Sequence, residues 1–138
     1  MKTSLFRIPA IAVLAAMSGL AQNHATLQAN VPFAFMVGNK TMPAGHYLVD
    51  PSLNAKVMVI ESADWKRSYS IIGTTVKSLG DPGIAAKLTF HRYGSEYFLS
   101  EVWSPGGQEG RRFPQTPRER ELISQQSSPA AQVTLALR

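Results

Sequence analysis

No cysteine occurs anywhere in the 138 residues. That excludes disulfides, thiol chemistry, thiolate metal sites and lipid attachment at a cysteine behind a leader. Charge is scarce as well: Asp, Glu, Lys and Arg make up 17% of the chain, and the formal net charge is only +5. So small an excess, with no basic run, gives no electrostatic footprint for nucleic acid, and no nucleic-acid partner is expected. The one long apolar run, Ile8 to Ala21, has 14 residues and contains Pro9, short of the about 20 that a membrane-spanning helix needs.

The signatures of common enzyme classes are missing too. There is no H-x-x-x-H or H-E-x-x-H spacing, no G-x-S-x-G elbow, no P-loop and no G-x-G-x-x-G. His46, His91, Glu96 and Glu101 could ligate a metal, but their spacing is not that of zinc sites, and no metal or other cofactor is expected. Glu96 and Glu101 should fall on opposite faces of one regular strand, which defeats paired acid–base chemistry. No catalytic residue is therefore expected.

What is present begins with a leader. Lys2 and Arg7 precede the apolar run, and Gly19-Leu20-Ala21 offers small residues at the positions a signal peptidase reads, with Ala25 as a later alternative. The expectation is export to the periplasm or cell exterior. Cleavage after Ala21 leaves the 117 residues from 22 to 138 with a net charge of +3, enough for one domain with its own core.

Downstream the patterning is that of strands. The segment 22–30 reads as a loose lead-in to the β domain, 31–138. Val31, Phe33, Phe35 and Val37 fall on one face with Pro32, Ala34 and Met36 on the other, and Gly38-Asn39-Lys40 ends that strand with turn chemistry. His46 to Val49 follows, with Tyr47 and Val49 on one face. Lys56 to Glu61 (KVMVIE) reads as a strand buried on both faces, and Ser68 to Val76 as one strand bent at Gly73. Between them Ser62 to Arg67 is polar, with Trp65 expected to fold back onto the core. Gly80-Asp81-Pro82-Gly83 marks a loop, and Pro105 to Gly110 a second, flexible one.

The organising stretch is Ala86 to Ser104, AKLTFHRYGSEYFLSEVWS, two strands joined at Gly94-Ser95. Regular pairing puts Arg92 opposite Tyr97, Phe90 opposite Leu99 and Leu88 opposite Glu101. Leu88, Phe90, Leu99 and Trp103 then share a core-facing side, with His91 on the other. A helix is predicted over about 117–125, with Thr116 as N-cap, Pro117 at its first position and Glu119 completing a capping box. Leu122 and Ile123 are its apolar contacts. The tail 132–138 alternates as a last strand, and its pairing with 31–37 would remove two open edges. The fold class is thus all-β, a small antiparallel sandwich or partly closed barrel of six to seven strands with one short C-terminal helix.

The stretches VGNK-x-x-PAG (Val37–Gly45) and FHRYG-x-x-YFLS-x-VW (Phe90–Trp103), with the later GRR and TPRERELI segments, resemble a group of small exported β-rich proteins frequent in acidobacteria. The resemblance implies a bacterial periplasmic or extracellular β domain, and it brings no catalytic residue with it. Candidate ligand or contact residues come from the residues alone. Glu101 is a carboxylate expected on a core face, paired with Arg92, Arg111 or Arg112, and Trp103 lies nearby. The expected function is a binding or interaction module whose partner is a protein or an envelope component. A carrier holding a small apolar ligand inside a barrel is the alternative, and a hydrolytic enzyme the third reading.

Overall fold

The computed structural model describes residues 26–50, 56–78, 85–126 and 129–138. The leader at 1–21 and the loop at Gly80 to Gly83 lie outside them. In chain order the elements are β1 (Leu27–Val31), β2 (Phe35–Val37), β3 (Lys40–Met42), β4 (Gly45–Asp50), β5 (Val57–Ser62) and β6 (Ser68–Ile72). Then follow β7 (Thr74–Lys77), β8 (Lys87–Tyr93), β9 (Glu96–Trp103), β10 (Glu109–Arg112), α1 (Pro117–Gln125) and β11 (Ala131–Ala136). One sheet runs β1-β4-β5-β6 and the other β11-β8-β9-β10-β7, with β2 attached to β9 and β3 to β2. The fold is an all-β sandwich with a C-terminal helix, and no barrel closes among the described residues.

Alternation explains the core. Ala29 and Val31 on β1, Tyr47 and Val49 on β4, and Met58 and Ile60 on β5 point from the first sheet toward Phe35, Leu88, Phe90, Leu99 and Val102 on the second. Phe35 meets Tyr47 and Phe90 edge to ring, with centroids 5.2 and 5.3 Å apart. Deleting a ring from such a centre costs about 3–5 kcal/mol. The four expected residues of the 31–37 stretch do face inward, although Pro32 splits it. β1 pairs with β4 in one sheet, while β2 pairs with β3 and, in parallel at Met36, with Phe98 of β9 in the other.

Several expectations are corrected. The lead-in is ordered from Leu27 onward as β1, because β4 supplies a full antiparallel partner. β5 is buried on one face only, since Val57 is 41% exposed and pairs with the outward Ile72. The strand predicted over 68–76 is two strands in different sheets: β6 pairs with β5, and β7 with β10. Gly73 is the crossing point, and a Cβ there would stand 2.8 Å from the Phe113 ring. The loop at 105–110 closes sooner than expected into β10, which lies between β9 and β7. The last strand pairs with β8 rather than with 31–37. Only its end reaches β1, where Gln28 and Arg138 exchange two backbone hydrogen bonds of 2.8 and 3.0 Å.

The organising hairpin forms as read at its turn, with Gly94 at φ 60°, a conformation that suits a glycine in a two-residue connection. Further along it departs from the regular register. Phe90 pairs with Leu99, yet Thr89 pairs with Glu101, so Ser100 is an extra residue on β9. This β-bulge sends Val102, not Glu101 or Trp103, to the core beside Leu88. Glu101 and Trp103 move to the outer face, and Glu96 and Glu101 share that face instead of opposing one another.

The outer face is covered in its turn. Tyr93, Phe98 and Leu122 form a second apolar cluster, with Met36 and Ala130 against it, and this seats α1 on the back of the hairpin. α1 has the predicted bounds, and Thr116 caps it by accepting the Glu119 N–H at 3.0 Å. Ile123 is 40% exposed and contributes little to the seat.

Candidate functional site

The bulge decides where the sequence-predicted site residues stand. Glu101, half-buried on the outer face, accepts two bonds of 2.8 Å from the Arg112 guanidinium and one of 2.8 Å from the Trp103 indole. The Lys87 ammonium lies 5.8 Å from the centre of the Trp103 ring. Glu101, Arg112 and Trp103 therefore form one cluster, and of the three arginines offered to Glu101 it takes Arg112. Arg111 alternates to the sandwich side of β10, opposite Val102, and is buried. Arg92 stays at the hairpin turn, donating to the Gly94 carbonyl at 3.0 Å. The structure does not bring these two to the cluster.

Beside that cluster a cleft of about 510 Å³ opens between the outer face and the segment leading into α1, with His91, Ser100, Arg112, Gln115, Glu119 and Gln132 in its wall. Glu119 does not close the reciprocal half of a capping box. Its carboxylate, 5% exposed, instead reaches the sheet and accepts from His91 Nδ1 at 2.9 Å and from the Tyr93 hydroxyl at 3.2 Å. Burial first, and then the Glu119 charge, push the Tyr93 hydroxyl up to about 12, so it remains a donor. On the far side of the imidazole, Ser100 Oγ lies 3.2 Å from His91 Nε2. The order Ser100, His91, Glu119 draws on two strands and a helix, and it exists only because the bulge places Ser100 where it is. Among the described residues no three His, Cys, Asp or Glu side chains converge as metal ligands.

A different arrangement occupies the β5–β6 turn of the other sheet. Trp65 does not fold back onto the core; it is 71% exposed and holds φ 58°, a left-handed conformation that is rare for a bulky residue. The turn around it is pinned locally. Ser62 N donates to Arg67 O at 2.8 Å, Trp65 N to Ser62 O at 2.8 Å, and Arg67 N to Ser62 Oγ at 3.0 Å. Asp64 accepts from Ser62 Oγ at 2.5 Å and from Lys66 N at 3.1 Å, and these bonds hold its carboxyl below the usual range. Backbone strain of this kind persists only where its surroundings over-determine it.

Two grooves of about 450 and 560 Å³ flank the turn and share Pro43, Lys66 and Arg67 in their walls. His46 and Tyr47 line the first, and Lys40 the second. Among the described residues Lys40, Lys66 and Arg67 enter no salt bridge, a condition they share with Lys56, Lys87, Arg92 and Arg120. Trp65 precedes Lys66 and Arg67 in the same turn, and its ring lines neither groove. Sequence reasoning saw Trp65 only as a core residue. The signal available was the local one, Ser62-x-Asp64 ahead of Trp65, whose side-chain oxygens satisfy the turn and free the indole to point outward.

Comparisons with protein-family models, with curated proteins and with solved structures returned no match to this chain.

Proposed function

We propose that this chain is an exported binding module that holds an acidic glycan of the cell envelope or its surroundings at the β5–β6 turn. The observation that carries the reading is Trp65, 71% exposed on a strained and locally pinned backbone next to unpaired Lys66 and Arg67. An aromatic face takes a sugar ring by stacking, and flanking cations take its carboxylate or phosphate. Pre-ordering of the turn lowers the entropy lost on binding. The leader pattern at 1–21 supports export. The carrier alternative has less support, since the space between the sheets is filled by rings in edge-to-ring contact.

Titration calorimetry with acidic oligosaccharides (polygalacturonate fragments), neutral cello-oligosaccharides and single-stranded DNA tests this. The acidic sugar should bind, the neutral one weakly, and Trp65→Ala should weaken binding at least about tenfold, as loss of an aromatic anchor does elsewhere. Binding unchanged in Trp65→Ala, or no binding of the acidic sugar, overturns the proposal. Tighter binding of DNA would replace the glycan with nucleic acid as partner.

A further inference from the structure

The chain of contacts on the outer face of the second sheet has a use that the glycan reading does not touch. Seating α1 requires a partner for the buried Glu119 carboxylate, and the Tyr93 hydroxyl with the imidazole provides it. Seating α1 does not require a serine on the opposite nitrogen of that imidazole, nor an open cleft in front of it. Both are present. An ionised carboxylate only accepts, so the Glu119 contact fixes the proton of neutral His91 on Nδ1 and leaves the Nε2 lone pair facing Ser100 Oγ–H. That is the tautomer a general base needs.

We propose that Ser100, His91 and Glu119 form an acyl-transfer relay that hydrolyses small carboxylic esters in this cleft, with Ser100 as nucleophile, His91 as base and Glu119 as positioning residue. In the first step the Ser100 Oγ–H proton passes to His91 Nε2 while Oγ bonds to the ester carbonyl carbon. The ester C–O bond then breaks, and the leaving alcohol takes the proton from Nε2. In the second step water attacks the acyl carbon and gives a proton to Nε2. The acid departs, and Ser100 Oγ regains its hydrogen. The amides of Gln115 and Gln132, with the edge of the Arg112 guanidinium not spent on Glu101, are the side-chain donors in the cleft wall for the oxygen that becomes negative. A β-bulge that re-aims a side chain is a frequent companion of such sites.

The test uses the folded chain with p-nitrophenyl acetate and with a fluorophosphonate, which phosphonylates an activated serine hydroxyl and releases fluoride. Peptide mapping should place the phosphonate on Ser100. Ser100→Ala should abolish labelling and the ester turnover, and His91→Gln should slow both by about 100-fold or more, the usual contribution of a general base. Glu119→Gln should shift the pH profile of labelling, which loss of packing alone would not do. Should Ser100→Ala fail to fold, Ser100→Cys serves. Its thiol should react with iodoacetamide at least about tenfold faster than in the same variant carrying His91→Gln, within a deliberately weaker bound than the base contribution. Labelling away from Ser100, turnover equal to that of Ser100→Ala, or equal thiol rates would each overturn the relay.

Discussion

The β5–β6 turn and the outer face of the β8–β9 hairpin handle polar groups in opposite ways. At the turn, Ser62 and Asp64 satisfy backbone donors no more than five residues away, and a large apolar ring is left in solvent. On the outer face the side chains satisfy one another across 9 to 28 residues, with Glu119 buried under the helix and His91 at the edge of the cleft. Polar chemistry in the first region presents a surface. In the second it holds a helix and orients an imidazole. One consequence is energetic, because a buried polar group left without its partner costs far more than an exposed one.

The comparison can be broken at its root by putting a charge where the bulge of β9 keeps one out. Val102→Glu would place a carboxylate opposite Leu88, between the sheets. Burying that carboxylate should destabilise the fold by more than about 3 kcal/mol, read by chemical denaturation. Next in size, Glu119→Ala strands the Tyr93 hydroxyl and His91 Nδ1. It should cost about 2–3 kcal/mol and loosen α1, seen as faster amide exchange in 117–125. At the turn the sign reverses. Trp65→Gly relieves the left-handed strain, so stability should hold or rise by about 1 kcal/mol while glycan binding is lost. A fall in stability there would show that the indole packs after all.

The smallest effect is alkaline. Because the Tyr93 hydroxyl titrates at about 12 in the folded chain, against 10.0 ordinarily, the unfolded state ionises first. Its contribution to stability is complete below pH 10 and should fade as the pH rises from about 10 to 12. Tyr93→Phe should flatten that part of the melting profile, whereas changes at the turn should leave it unaltered.

The same contrast explains what could be read in the sequence. Thr116-Pro117 and Gly94-Ser95 are local devices, and both the helix bounds and the hairpin turn follow from them directly. Alternation found the core faces of β2 and β4. Where a residue's place depends on a distant partner, the pattern misleads. Nothing between Phe98 and Trp103 announces an extra residue, so Glu101 and Trp103 read as core and Val102 as outward. The crossing at Gly73 reads as a bend because the Phe113 ring that crowds it lies 40 residues on. Glu119 has the spacing of a capping residue, and only the folded sheet reveals that its carboxylate serves His91 and Tyr93. Candidate residues Glu101, Arg112 and Trp103 were found for their charge and aromaticity. Ser100, His91 and Glu119 come together through long-range contacts that no spacing records.

The pair of backbone bonds between Gln28 and Arg138 places both extremities of the described fold on adjacent strands. A linker of a few residues from Arg138 to Thr26 would make them one continuous ribbon, and the chain could be reopened between β7 and β8 as a circular permutant. Such a permutant would carry its free ends away from the first strand. It would also report whether order along the chain, or merely the set of strands, specifies this architecture.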